Sequence, residues 1–154
     1  MLKMIVIALI WVVSSASVSA AHAQAAFPQS RNELYQAGQQ FASCSAYFRY
    51  GAIVARANGL EESAIAIEGM ERGWKVAGLL LLVEGLDESR QMQVEDIFGN
   101  FQAIKLDEIK ANREIAEARG DTFDPAANYQ SECGEWSEMQ KAIIQAMRSG
   151  PSNP

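Results

Sequence analysis

The two cysteines are the side chains of this sequence best suited to covalent chemistry. Cys44 lies in FASCSAYFRY, and the only other cysteine, Cys133, lies far along the chain in ECGEW. A catalytic dithiol uses two cysteines close together, as in CxxC, so that one thiol attacks and the other resolves. Two thiolates also fall short of the four ligands of a structural zinc site. The pair therefore favours a Cys44 to Cys133 disulfide over a redox centre or a metal site.

Aromatic residues flank both cysteines at helical spacing. They are Phe41, Tyr47, Phe48, Tyr129 and Trp136. Residues three or four positions apart share one face of an α-helix. We expect these rings to pack around the disulfide as the centre of a core, with a ligand cage as the alternative.

The N-terminus has the three-part layout of a secretory signal peptide. Lys3 precedes the apolar run MIVIALIWVV at residues 4–13, and small and polar residues follow. The run is about ten residues long, against the roughly 20 of a transmembrane helix, so we expect no stable membrane anchor. Ala21 and Ala23 fit the cleavage motif and predict cleavage between Ala23 and Gln24. Alternative cleavage positions follow Ala20 and Ala25.

Cleavage would leave residues 24–154 as a single domain after a signal peptide of residues 1–23. His22, the only histidine, belongs to the removed part. The mature chain then lacks the imidazole base that serine and cysteine nucleophile systems use. It also lacks a CxxCH haem site and the Glu-x-x-His pairs of di-iron bundles. We expect a periplasmic or extracellular protein with no cofactor and no enzymatic activity.

The charge of the chain restricts its partners. Its formal net charge is −6, and it becomes more negative without Lys3. Negative charge repels nucleic acid and anionic lipid at long range, and no basic stripe offsets it. We therefore expect no nucleic-acid binding, and a basic protein is the electrostatically easier partner. Export would also place the cysteines where disulfides persist.

Capping and breaking residues divide the mature chain into amphipathic segments. Ser30 with Glu33 is a capping box, Asn58-Gly59 is a left-handed stop, and Asp124-Pro125 is an N-cap followed by a first-turn proline. No alternating strand pattern of useful length occurs. The sequence predicts an all-α, up-down-up-down four-helix bundle. The predicted helices cover about 31–57, 60–84, 88–119 and 125–148.

The predicted topology makes the first and last helices antiparallel neighbours, which allows a test of cysteine register. Cys44 lies 13 residues after Arg31, and Cys133 lies 15 residues before Arg148. The difference of two residues corresponds to about 3 Å of helical rise. The two sulfurs can therefore meet with little sliding of either helix.

Apolar spacing predicts which faces of the last two helices are buried. Whether the third helix continues through Gly99 is left open. On the third helix the predicted face consists of Val94, Ile97, Phe101, Ile104, Ala111 and Ile115. On the last helix it consists of Tyr129, Cys133, Trp136, Ile143 and Met147.

Three small residues of the second segment, Gly69, Gly73 and Ala77, lie four apart on one face. Glycine costs a helix roughly 1 kcal/mol relative to alanine, so their spacing indicates that another backbone passes close by. Tight packing within the bundle is the favoured interpretation, and a homodimer contact is the alternative.

These observations favour a binding or interaction module, such as an inhibitor, an immunity-type protein, or an envelope adaptor or chaperone. One alternative is a cell-wall or glycan hydrolase that uses two carboxylates facing one cleft. Another is a carrier that holds a small ligand between its helices. Tyr35, Tyr50 and Trp74 are aromatic residues whose burial the pattern does not assign. The candidate carboxylates are Glu61, Glu62, Glu68, Glu71, Glu84 and Asp87.

Overall fold

The computed structural model describes residues 27–149, and this part of the chain is a helical bundle without strands. The predicted signal peptide and its cleavage site at Ala23 and Gln24 lie outside the described residues. No helix within 27–149 is long and apolar enough to span a membrane. The α-helices are α1 (Arg31–Ala57), α2 (Glu61–Gly85), α3 (Val94–Arg119), α4 (Pro125–Cys133) and α5 (Ser137–Ser149). Two 3₁₀ turns, Glu88–Gln93 and Gly134–Trp136, precede α3 and α5.

The predicted capping residues set the ends of the helices. At the start of α1 the Glu33 N–H donates to Ser30 Oγ (3.2 Å), and the Ser30 N–H donates to Glu33 Oε2 (3.1 Å). Gly59, which follows α1, has a φ of 74°. This backbone conformation is strained for residues that carry a side chain. Asp124 caps α4 by accepting two backbone N–H bonds, and Pro125 follows it at the first helical position. These boundaries are confirmed.

Helices α1 and α2 form a closely packed antiparallel pair. Gly38 of α1 faces Leu82, and Gly51 faces Ile67, so the contacts run in opposite residue order. At the end of α2 a Cβ on Gly85 would lie 2.5 Å from the backbone nitrogen of Tyr35. The two backbones touch there, which leaves no room for a side chain.

The disulfide lies at the centre of the larger core cluster. Cys44 and Cys133 are bonded, with their Cα atoms 5.8 Å apart and both side chains fully buried. The Phe41 ring packs edge-on against Trp136, with centroids 6.1 Å apart. Tyr47, Phe48 and Tyr129 also pack in this cluster. The predicted disulfide and its aromatic surroundings are confirmed.

The buried face of α3 differs from the predicted one. Ile104 and Ile115 are 65% and 48% exposed, and Ala111 is also exposed, whereas Val94, Ile97 and Phe101 are half-buried. Helix α3 is continuous through Gly99. The side chains that α3 buries are Phe98, Gln102, Leu106 and Ile109.

Gln102 explains this rotation of α3. Its side-chain nitrogen donates to Ser45 Oγ and to Glu71 Oε1, each at 2.9 Å. Its side-chain oxygen accepts from Arg49 Nη1 at 3.0 Å. A buried polar group is tolerated when its hydrogen bonds are made. The polar network of Ser45, Arg49, Glu71 and Gln102 therefore joins α1, α2 and α3, and it places Gln102 instead of Ile104 on the buried face of α3.

The predicted last helix is two helices, because the chain adopts a 3₁₀ turn at Gly134–Trp136. Glycine has a low helix propensity, and the Ser137 hydroxyl donates to the Gly134 carbonyl at 2.8 Å. Tyr129, Cys133, Trp136 and Ile143 are buried or half-buried as predicted. Met147 lies one turn after Ile143 on the same face but is 50% exposed near the end of α5.

A second polar cluster joins α1, α3 and α4 beside the disulfide. Tyr47 OH donates to Glu132 Oε1 (2.8 Å), and Lys105 Nζ lies 2.6 Å from Glu132 Oε2. Burial and the hydrogen bond to Glu132 raise the pKa of Tyr47 to about 12, although the charge of Lys105 opposes this. Burial opposes the protonation of Lys105, but hydrogen bonds to Glu132 and Glu108 raise its pKa.

We expect the free energy of unfolding to fall as the pH rises from about 10 to about 12. The raised pKa of Tyr47 means that the folded state holds this proton more tightly than the unfolded state does. That contribution is complete below pH 10 and is lost through pH 12. Urea unfolding measured across this pH range should show that the free energy of unfolding falls less steeply with pH for Tyr47→Phe than for the unchanged protein. In the variant only Lys105 of this pair titrates. Equal slopes for both proteins would contradict the role of Tyr47.

Candidate binding groove

The largest described cavity is a groove between α2 and α5, with a volume of about 720 Å³. The end of α4 contributes Tyr129 to it, and α1 contributes Phe48. Met70, Lys141 and Arg148 line it and are exposed, so one side of the groove is open to solvent. We call this site the α2/α5 groove.

Aromatic rings form the floor of the groove. Trp74 is 3% exposed, and Phe48 and Tyr129 are half-buried. The Phe48 and Tyr129 centroids are 5.0 Å apart, and Trp74 lies 6.2 Å from Tyr129 in an edge contact. Burial raises the pKa of Tyr129, whereas the neighbouring Trp74 and the charge of Lys141 oppose the rise. The same rings thus close the core and face the groove.

Glycines of α2 form one wall of the groove. A Cβ on Gly73 would lie 2.8 Å from Gln140 Nε2, which is the far end of a flexible side chain of α5. A Cβ on Gly69 would meet only Arg72 Nη2, at 3.8 Å. Gly69 is exposed, whereas Ala77 is fully buried in the core. Packing within the chain therefore accounts for Ala77, and the two glycines line the groove.

The α5 wall carries the charges of the groove. Lys141 Nζ lies 2.7 Å from Glu138 Oε1, and both side chains are largely exposed. No salt bridge joins Arg148 to another residue of the described range. No acidic residue lines the groove.

No protein-family model matches this chain, and no curated protein or solved structure matches it at a significant level.

A second cavity, of about 620 Å³, lies between α1, α3 and the start of α4. Its guanidinium group, Arg113, already binds Glu117 Oε1 (2.6 Å) and Tyr50 OH (3.4 Å). Tyr50 is 6% exposed and packs edge-on against Phe123, which also lines this cavity. We call it the Tyr50 cavity. Its polar groups have partners within the chain.

The six candidate carboxylates do not gather at one cavity. Glu61 and Glu68 both pair with Arg56, and Asp87 pairs with Arg31 at 3.2 Å. None of the six lines any of the four cavities that the structure describes, and Glu62 and Glu84 are exposed. Within 27–149 no group of three or more acidic, cysteine or histidine residues is placed to hold a metal ion.

The structure shows the surroundings of the three aromatic residues whose burial the sequence did not assign. Tyr35 is half-buried, and its ring packs edge-on against Phe101, with centroids 6.4 Å apart. Tyr50 belongs to the cavity named after it, and Trp74 to the α2/α5 groove. The sequence did not indicate Met70, Lys141 or Arg148 as site residues. Their place in the groove depends on the packing of α5 against α2, which the apolar spacing of either helix alone does not indicate.

Proposed function

We propose that this chain is an exported binding module that acts in the periplasm or outside the cell. The expected export rests on the N-terminal layout of residues 1–23 and fits a disulfide-bonded product. We also propose that residues 24–154 form one domain with up-down-up-down topology. The contact pairs that support this order are Gly38 with Leu82, Tyr47 with Lys105, Tyr50 with Arg113, Tyr47 with Glu132 and Tyr50 with Phe123.

The observation that carries the proposal is the open α2/α5 groove with its aromatic floor. Met70 is 53% exposed beside it, and a Cβ on Gly69 would meet only Arg72 Nη2, at 3.8 Å. An amphipathic helix binds such a groove by placing its apolar face on the floor. From Ser137 to Arg148 the α5 wall is about 16 Å long, enough for three turns of a partner helix.

A helical segment of another protein is the ligand that fits this geometry best. An inhibitor, an immunity-type protein, or an envelope adaptor or chaperone would each bind a partner in this way. A small-ligand carrier is the second candidate, since its cavity volume lies in the range typical of ligand sites. Such sites enclose most of the ligand, however, and this groove exposes one side of its occupant. A hydrolase gains no support from the scattered carboxylates.

Photo-crosslinking from inside the groove tests the proposal. We would place p-benzoylphenylalanine at Met70 in the cells that naturally produce the protein, and at Ile104 as the control. Ile104 is 65% exposed on α3 and does not line the groove. We expect one adduct of defined mass from Met70 and none from Ile104. Equal adducts from both positions, or none from either, would contradict a protein-binding groove.

The carrier alternative gives a different result. A bound small molecule would remain with the purified mature protein and would add mass in a native mass spectrum. Met70→Glu, which puts a charge against the aromatic floor, should then remove that mass. We expect no such added mass.

A further inference from the structure

We propose that the α2/α5 groove binds an amphipathic helix whose polar face is acidic. This inference rests on the proposed function of the groove as a protein-binding site. It differs from the basic partner that the net charge of the chain favours. The distinction matters because local charge at a binding site, and not the total charge alone, selects the docked partner.

The charge of the groove is opposite to that of the chain. The sequence has 19 acidic and 13 basic residues, yet the charged residues that line the groove are Lys141 and Arg148. Arg72 adds a third cation at the Gly69 wall, where the neighbouring charge of Glu68 partly offsets it. Glu138 pairs with Lys141 at the rim and offsets one of these charges. The groove is therefore a positive site on an acidic protein.

The spacing of the two cations fits a helical partner. Lys141 and Arg148 are seven residues apart on α5, which places them on the same face and about 10 Å apart along the axis. Two carboxylates seven residues apart on a partner helix aligned with α5 would match this spacing. Arginine and lysine bind carboxylates by charge-assisted hydrogen bonds, and arginine does so with two parallel bonds.

The space at Gly69 favours a helix over a thin acyl chain. Because the glycine has no side chain, a partner backbone can approach α2 closely at this point. Beside it the apolar contacts are Met70, Trp74 and Ile144, all of which line the groove. A partner helix that places its apolar face against these side chains and its carboxylates toward the cations of α5 is complementary to both walls of the groove.

Three designed 18-residue helical peptides test the proposal. They share one apolar face of leucine and phenylalanine, and their polar faces carry glutamate, lysine or glutamine. Fluorescence anisotropy of each labelled peptide is measured with the oxidised mature protein at low and moderate salt. We expect the glutamate peptide to bind at least about tenfold more tightly than the lysine peptide, and to weaken as salt rises.

Matched variants locate the binding. The double variant Lys141→Glu with Arg148→Glu should bind the glutamate peptide about tenfold or more weakly than the unchanged protein does. The control, Arg90→Glu with Arg119→Glu, makes the same change in net charge at two exposed residues outside the groove. We expect it to change the affinity by less than about twofold, because exposed charges at a distance are screened by salt.

The outcomes separate this inference from the proposed function. Tighter binding of the lysine peptide, abolished by Met70→Glu, would overturn the acidic preference and leave the groove as the binding site. No binding of any peptide would overturn both. Concentration-dependent dimerisation in sedimentation, abolished by Met70→Glu, would assign the groove to a second copy and would also overturn the proposal.

Discussion

Replacing both cysteines, Cys44→Ala with Cys133→Ala, is expected to lower the free energy of unfolding by about 4 kcal/mol. The bridge closes a loop with a sequence separation of 89 residues. Opening so long a loop gives the unfolded chain much conformational entropy, and residual structure in that state reduces the gain. The disulfide is also the covalent link between α1 and the helices that carry one wall of the groove.

Urea unfolding of the oxidised protein, the reduced protein and the double variant measures this effect. The reduced protein and the variant should agree closely, since both lack the same link. A second readout is crosslinking from Met70, which should weaken when α4 and α5 are no longer fastened to α1. A loss below about 1 kcal/mol would mean that the noncovalent contacts of α4 with α1 are sufficient.

Alanine at Gly85 is expected to destabilise the fold by about 2 to 3 kcal/mol, the upper part of the range for overpacking. The new Cβ would lie 2.5 Å from Tyr35 N and 3.0 Å from Arg31 O, and both are backbone atoms that no rotamer change can move. The first turn of α1 must then separate from the end of α2.

Gly99→Ala is the matched control, because a Cβ on this α3 glycine would meet nothing within 4 Å. Alanine favours the helix by about 1 kcal/mol here, so the same substitution should stabilise. Thermal and urea unfolding of both variants should show shifts of opposite sign. A neutral Gly85→Ala would contradict the backbone contact between α1 and α2.

Local signals in the sequence predicted much of the fold. The Ser30 capping box and the Asp124 cap depend on neighbouring residues alone, and both helices begin where these residues place them. The disulfide was also predictable, because the predicted export, the cysteine count and the helix register each favoured the same pair.

The features of the fold and of the groove that the sequence did not predict depend on contacts between residues far apart in the chain. Gln102 is polar, and polar residues mostly lie at the surface, but Ser45 and Glu71 supply its hydrogen bonds in the core. The predicted face of α3 was therefore wrong at Ile104, Ala111 and Ile115. The 3₁₀ turn at Gly134 was missed because a single glycine also occurs inside continuous helices, as Gly99 does. The groove lies between two helices, and the apolar spacing of neither helix alone indicates which residues face it.

Amide hydrogen exchange of the oxidised protein, with and without the glutamate peptide, tests most directly the proposal that the α2/α5 groove binds an acidic amphipathic helix. Protection is predicted in α2 around residues 65–76 and in α5 around 137–148, with the α1 and α3 residues of the Tyr50 cavity unchanged. Protection confined to the Tyr50 cavity, or no change at saturating peptide, would contradict the claim.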